Sequence, residues 1–407
     1  MSKLETLIRQ LCPEGVEYKP LSELFDTRNG YTPSKGNLEF WTNGTIPWFR
    51  MEDIRENGRI LSKATQYVSR SAVKGDLFPE NSIIVATSAT IGEHALITVP
   101  SLANQRFTYL MLKDQYKDCF SAKFLYYYCF KLDDYCKACL NQGNFASVDM
   151  KKFAKFEFPM VPLEIQREIV RILDNFTELT EKLIAELTAR KKQFQFYHKQ
   201  FFEFKKSDCI QIVCIKDICE LLTGYPFDSS QFTATGIHLL RGMNIKRGIL
   251  DYSESNNRYW NSVQGYEKFL LSTDDIVIAM DGSLVGKSYA QVKSNHLPSL
   301  LVQRVTRVRV TKANAHYIYH YISSGAFTRY VEKKKTGGAV PHISLKDIAN
   351  FKIPLPSENM QKEIADSLDR FDALCNDLTS GLPAEIAARQ KQYEYYRDKL
   401  LTFKKRS

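Results

Sequence analysis

The chain has 407 residues, 44% apolar and 25% charged, an ordinary globular composition in a length that one hydrophobic core does not fill. Its net charge of +10 favours a polyanionic partner, nucleic acid ahead of membrane, and no 18-residue apolar run is there to span a bilayer. The opening MSKLETLIRQLCPEG lacks a signal peptide's apolar stretch, and nine cysteines without framework spacing suit a reducing compartment, so a cytoplasmic location is expected.

Residues 1–155 read as a first globular domain of short strands and helices. Ser82–Ala86 (SIIVA) is a strand candidate before a small-residue turn, and Phe124–Tyr128 lies on an aromatic helix. Cys136-x-x-Cys139 sits on the same helical spacing without a second ligand pair, which reads as buried cysteines rather than a metal site. Residues 156–206 form a helical region whose apolar positions include Ile169, Leu173, Phe176, Leu183 and Leu187, in the steps of three and four that make a coiled-coil seam. Pro162 suits its first turn. Residues 207–350 form a second globular domain with its own strand candidate, Asp275–Ala279 (DIVIA). Residues 351–407 form a second helical region, with Ser357 as a candidate N-cap and Ile364, Leu368, Phe371, Leu378, Tyr393, Tyr396 and Leu400 on its stripe. Ser380-Gly381-Leu382-Pro383 predicts a stop and restart there, whereas the first helix can run unbroken. Neither stripe can be buried alone, so the two helices are expected to pack on each other.

The two halves repeat one another. Phe156, Pro159, Gln166, Glu168, Ile169, Leu173, Asp174 and Phe176 recur 195 positions later as Phe351, Pro354, Gln361, Glu363, Ile364, Leu368, Asp369 and Phe371. After a slip of four residues, Arg190, Phe204, Lys205 and Lys206 recur as Arg389, Phe403, Lys404 and Lys405. In the globular domains Gly30-Tyr31 matches Gly224-Tyr225, Arg50 matches Arg241, and Gln105-Arg106 matches Gln303-Arg304. The stretches between these points differ widely. A kept framework with changed loops suggests two related but different recognition surfaces.

Catalytic signatures are missing. Asp281-Gly-Ser-Leu-Val-Gly-Lys-Ser288 is not a P-loop, since Asp281 stands where glycine is needed. There is no H-E-x-x-H, no G-x-S-x-G and no Asn/Asp-Pro-Pro-Tyr/Phe stretch. Neither a catalytic residue nor a metal site is expected. The nucleic-acid signal is spread over predicted loops: Arg28, Asn29, Tyr31, Lys35, Arg50, Gln105 and Arg106 in the first copy, and Tyr225, Arg241, Asn244, Lys246, Arg247, Lys287, Arg304 and Lys333, Lys334, Lys335 in the second. Arg and Lys suit guanine edges or phosphates, and Asn and Gln suit adenine edges. A solvated surface charge is the competing reading for each.

Domain, helix, domain, helix, with Phe351-Lys-Ile-Pro354, Gln361-x-x-Ile364, Leu368-Asp369 and Ala388-Arg389 repeating Pro159, Gln166-x-x-Ile169 and Ala189-Arg190, resembles the specificity subunit of type I restriction–modification enzymes over the whole chain. Ile165-Gln166 and Met360-Gln361 depart mildly from the family's Glu-Gln. The resemblance implies an α/β (α+β) protein in which two target-recognition domains are separated by a pair of long antiparallel coiled-coil helices, with an internal pseudo-two-fold repeat. It implies that each domain reads one half of a bipartite, asymmetric site on double-stranded DNA, with the helices fixing the spacing. Four residues of continuous helix are worth about 6 Å, close to two base-pair steps of about 3.4 Å. It further implies two modification (methyltransferase) subunits using S-adenosylmethionine and two ATP- and Mg-dependent motor-nuclease subunits, with no cofactor in this chain. A coiled-coil assembly scaffold without direct DNA readout is the alternative.

Overall fold

The computed structural model of the chain describes residues 3–141, 146–204, 210–335, 341–377 and 380–406; Leu378, Lys205 and Lys206 lie outside these. Helix and strand are mixed, and the chain divides into two compact units. One comprises Met1–Lys182 and Ile386–Ser407, the other Leu183–Glu385. Both therefore take part of the first long helix, Leu163–Gln200, which runs unbroken for 38 residues. The second helical region is broken, as its sequence predicts, into Glu358–Asn376 and Leu382–Leu400. Gly381 sits in the gap with no room for a side chain: a Cβ there would lie 2.5 Å from the Ala373 carbonyl oxygen and 2.8 Å from that of Asp377.

The two units are built on one topology. The first has a five-stranded sheet in the order Phe25–Asn29, Phe107–Leu112, Ser82–Ala86, His94–Ile97, Ile60–Leu61. The second repeats four of these as Cys219–Thr223, Val305–Val310, Ile276–Ala279, Tyr289–Gln291. Each adds a three-stranded sheet: Tyr67–Val68, Ile46–Phe49, Leu102–Ala103 in one, and Tyr259–Trp260, Ile237–Leu240, Ser299–Leu301 in the other. Residues 83–86 and 276–279 of the central strands are apolar at every position because both of their faces are covered. With side chains alternating across the sheet, Ile83 and Val85 enter the core shared with the helices, while Ile84 and Ala86 enter the core under the small sheet. Ile276 and Ile278 divide from Val277 and Ala279 in the same way.

A two-stranded ribbon leads into each helical region, Tyr18–Pro20 with Glu157–Pro159 and Gln211–Cys214 with Lys352–Leu355. Just beyond it, the repeated glutamine is buried. Gln166 donates through Nε2 to the Cys119 and Val161 carbonyls at 2.8 and 2.6 Å, and its Oε1 accepts the Ser121 N–H at 2.8 Å. Gln361 donates to the Pro356 carbonyl at 2.8 Å and accepts the Asn314 N–H at 3.0 Å. Ser121 and Asn314 are the N-caps of Ala122–Ala138 and Ala315–Tyr321, so the amide clamps helix to helix in both units. Two turns on, the repeated aspartate does the same. Asp174 accepts from Lys123 Nζ and the Tyr127 hydroxyl, both at 2.7 Å. Asp369 meets His316 at 2.7 Å and His320 at 2.8 Å.

Within each unit the long-helix segments run antiparallel. In the first, Phe176 stacks on Tyr396 with centroids 5.6 Å apart and planes 21° off parallel. The second uses the repeated residues with the strands of the repeat exchanged, Phe371 on Tyr197 at 5.8 Å and 26°. Leu183 and Leu187 are half-buried along the first helix, and Tyr393 and Leu400 pack against the first unit's core. Ile169 and Leu173 are buried in one cluster with Phe124, Leu125 and, from the second helical region, Leu401, and Ile364 and Leu368 are buried with Tyr317 and Ile318 in the second unit. A heptad stripe shows which face is apolar but not what covers it. The first unit is closed by the chain's two ends: the Val16 N–H donates to Lys404 O and the Arg406 N–H to Val16 O, both at 2.9 Å.

Gln166→Ala would strand one buried donor and two carbonyls, and should cost about 1–3 kcal/mol, read as an earlier midpoint in denaturant unfolding. The His316 hydrogen bond to Asp369, aided by Asp274 at 3.2 Å, raises the His316 pKa. A raised pKa means a contribution fully present below the imidazole's unfolded value of about 6.5 and lost as pH rises through the folded value. Unfolding midpoints should therefore fall as pH rises above about 6.5, in a step that His316→Gln removes.

Candidate nucleic-acid interface

At one edge of each unit, three loops are pinned together by the same backbone bonds. In the first unit, Gly30 N–H donates to Phe107 O at 2.9 Å, Tyr31 N–H to Ala103 O at 2.8 Å, and Asn104 N–H to Phe49 O at 3.0 Å. In the second, Gly224 N–H donates to Val305 O at 3.1 Å, Tyr225 N–H to Leu301 O at 3.0 Å, and Val302 N–H to Leu240 O at 3.1 Å. The chains approach so closely that only glycine fits. A Cβ on Gly30 would lie 2.3 Å from the Ala103 carbonyl oxygen, and one on Gly224 2.2 Å from that of Val302. This crossing brings together residues that are far apart in sequence.

In the first unit the result is a cleft of about 580 Å³ whose lining includes Lys35, Arg50, Gln105 and Arg106 beside Trp41 and Trp48. Arg50 is half-buried, with its guanidinium 5.8 Å from the centre of the Trp48 ring and 3.4 Å from Thr65 Oγ1. Gln105 Oε1 accepts from the Thr32 hydroxyl, and Arg106 is exposed. Cations beside indole faces suit a phosphate or a base edge. The other three first-copy candidates are engaged within the fold. Arg28 lies 4.0 Å over the Phe78 ring and donates to Asp76 O at 2.8 Å. Asn29 accepts from the Thr108 hydroxyl, and the Tyr31 hydroxyl accepts the Lys74 N–H at 2.7 Å and donates to Ala72 O.

The second unit carries different groups on the same frame. Tyr225 is partly exposed, edge-on to Phe227 and Tyr266. Arg241 is half-buried and donates to Asn256 O at 2.7 Å; burial and the nearby Arg258 lower its pKa. Arg304, the counterpart of Arg106, is exposed and paired with Asp281 at 2.5 Å, and His342 reaches the same carboxylate at 2.5 Å. Burial alone would raise the Asp281 pKa, but the two hydrogen bonds outweigh it and hold the carboxyl below its usual range. Asp281 and His342 were not among the candidates. The only sequence signal was a carboxylate spoiling an apparent phosphate loop.

Asn244 is a correction. It is fully buried, its Oδ1 accepts the Arg241 N–H at 3.1 Å, and its Nδ2 donates to Asp251 O and Asn256 O at 2.9 and 3.2 Å. Both Nδ2 hydrogens are spent inside the fold and the side chain is buried, so the amide presents no donor to a base. Its counterpart Asp53, also fully buried, holds the Arg50 N–H at 2.7 Å and the Thr65 N–H at 2.6 Å. These two residues shape the loop that presents the arginine. The remaining candidates are spread elsewhere on the unit. Lys246 is exposed on the turn before Ile249, and Arg247 lines a cavity beside the long helices with Lys191, His198 and Arg329. Lys287 is exposed on the turn after Gly286, and Lys333, Lys334 and Lys335 lie at the end of the helix Phe327–Lys334, Lys335 pairing with Glu332 at 2.7 Å.

The description "Type I restriction modification DNA specificity domain" matches residues 13–189 and again 208–388. The chain belongs to that specificity family. It is 41% identical, over 93% of both chains, to the specificity subunit of the Escherichia coli type I restriction enzyme EcoprrI, and 37% identical over 61% of both to that of EcoR124I/EcoR124II from the same species. Solved structures agree on the fold. The type I restriction-modification S subunit from M. genitalium matches over 95% of both chains with a TM-score of 0.52 at 16% identity. A chain from a structure of type I complex assembly matches over 96% of this chain and 98% of that one, with a TM-score of 0.63 at 16% identity. In this specificity-family chain, among the described residues, no cluster of side chains is arranged to hold a metal ion and no helix is long and apolar enough to cross a membrane.

Gly30→Ala and Gly224→Ala should each cost about 1–3 kcal/mol, because backbone rather than a flexible side chain must yield. Differential scanning calorimetry checks this, with Gly75→Ala, where nothing lies within 4 Å but φ is positive, as the comparison for backbone strain alone.

Proposed function

We propose that each unit reads one half of a bipartite, asymmetric DNA site, and that the long helices set the spacing and dock the modification subunits. One observation carries this reading: the three-loop crossing and its arginines are the same in both units, while the groups set around those arginines differ. Lys35, Arg50, Gln105 and Arg106 stand beside two indoles in one, and Tyr225, Arg241 and the Arg304–Asp281–His342 group stand in the other. Equal frames with unequal contents are what a reader of two different half-sites needs. A free arginine can address guanine O6 and N7, whereas one shared with a carboxylate presents donors and acceptors together. Affinity comes largely from phosphate contacts, to which the net charge of +10 contributes.

Methyl transfer is assigned to two modification subunits that carry S-adenosylmethionine, and cleavage to two ATP- and Mg-dependent motor-nuclease subunits. Membership of the specificity family and the fold shared with a chain from a type I complex support this division. The test is genome-wide mapping of methylated adenines with this chain and its cognate modification subunit co-expressed. Arg106→Ala should relax one half of the methylated motif and Arg304→Ala the other, each at a cost of about 1–3 kcal/mol in discrimination. Half-sites that change together, or a motif indifferent to both substitutions, would exclude the reading.

A further inference from the structure

Phe196 and Tyr395 are related by the repeat, at the offset of 199 that also relates Arg190 to Arg389 and Phe204 to Phe403. They are also among the most exposed large apolar side chains of the long helices, at 63% and 62%. Their surroundings match. Phe196 lies edge-on to Tyr197, with centroids 5.5 Å apart and planes at 75°, and Tyr395 lies edge-on to Tyr396 at 5.3 Å and 76°. Tyr197 and Tyr396 are the seam residues that stack on Phe371 and Phe176. Each unit thus has a three-ring ladder, Phe371–Tyr197–Phe196 or Phe176–Tyr396–Tyr395, that starts in the seam and ends in solvent.

Solvent gives no reason to keep a large ring exposed twice in one orientation, on a chain whose recognition loops have diverged freely. Equal presentation in both copies points to one binding partner engaged twice. The ladder also limits the cost of binding. A ring braced by its neighbour has few rotamers to lose, and braced aromatics are the usual hot spots of protein interfaces. The charge nearby is net positive, although Glu394 and Asp398 also flank Tyr395. An exposed lysine precedes each ring by one helical turn, Lys192 and Lys391, and Lys399 lies 6.0 Å from the Tyr395 ring centre. A complementary surface is an apolar socket rimmed by carboxylates.

We infer that Phe196 and Tyr395 are the twin anchors on which two copies of the modification subunit dock, one on each unit, each ring entering an acid-rimmed apolar socket. This rests on the reading above that modification subunits dock on the long helices, and it names the contact. The experiment uses the full chain and its cognate modification subunit, with stoichiometry read by native mass spectrometry and affinity by sedimentation. Phe196→Ala or Tyr395→Ala should weaken one site by about thirtyfold or more, leaving mainly one-to-one complexes. The double variant should lose both copies, while Phe196→Tyr with Tyr395→Phe restores them. Far-UV circular dichroism should be unchanged throughout, since neither ring is in a core. Leu11→Ala, at a 44%-exposed site on the helix Lys3–Leu11, should change nothing. Two modification subunits bound at unchanged affinity by the double variant would overturn the inference and leave the docking reading standing. So would full occupancy with loss of DNA affinity alone, which would make the rings DNA contacts. Failure of the unsubstituted chain to bind the modification subunit would overturn both.

Discussion

An amphipathic helix of 38 residues carries an apolar stripe that one small domain can cover only in part. Its first turns are covered: Ile165, Ile169 and Leu173 are fully buried against the first unit's aromatic helix. Beyond them the stripe needs another helix, and in each unit an antiparallel segment of the second helical region supplies it, clasped by a Phe–Tyr stack. The break at Gly381 divides that region into two pieces, one for each unit. The buried glutamines and the repeated aspartates then fix each helix to its own recognition domain. Orientation of the recognition surface relative to its helix follows from those few polar contacts.

Duplication has acted differently on different kinds of residue. Where backbone runs against backbone, as at Gly30 and Gly224, the copies are alike because no other side chain fits. Where a polar side chain shapes a loop, chemistry is kept without identity, as with Asp53 and Asn244. Around the crossing the arginines are kept while their neighbours change. Trp41, Trp48 and Lys35 have no equivalents in the second unit's sequence pattern, and Asp281 has none in the first.

Much of the scaffold was legible in the sequence, and the reason is periodicity. The apolar runs at Ser82–Ala86 and Asp275–Ala279, the heptad stripes and the Gly381–Pro383 interruption are local signals, and strands and helices stand where these predict. The site was less legible. Lys35, Arg50 and Arg106 share a cleft only because three distant loops cross, and no local pattern encodes a crossing. Asn244 was misassigned because an amide's readiness to bond a base is equally a readiness to bond its own loop. At Ile169, Leu173, Ile364 and Leu368 burial was legible but the domain residues that share it were not, since burial periodicity is silent about what does the burying.

The pairing of Val16 with Lys404 and Arg406 bears on the order in which the molecule is finished. The first unit needs Ile386–Arg406 for its seam and for this closing contact, yet the ribosome makes those residues only after the whole second unit. At about 5–20 residues per second, the first recognition domain waits on the order of ten to forty seconds with part of its helical stripe uncovered. The domain that begins synthesis first is thus completed last. During that interval it depends on its internal core, and on whatever chaperone shields the open seam, to stay out of aggregates.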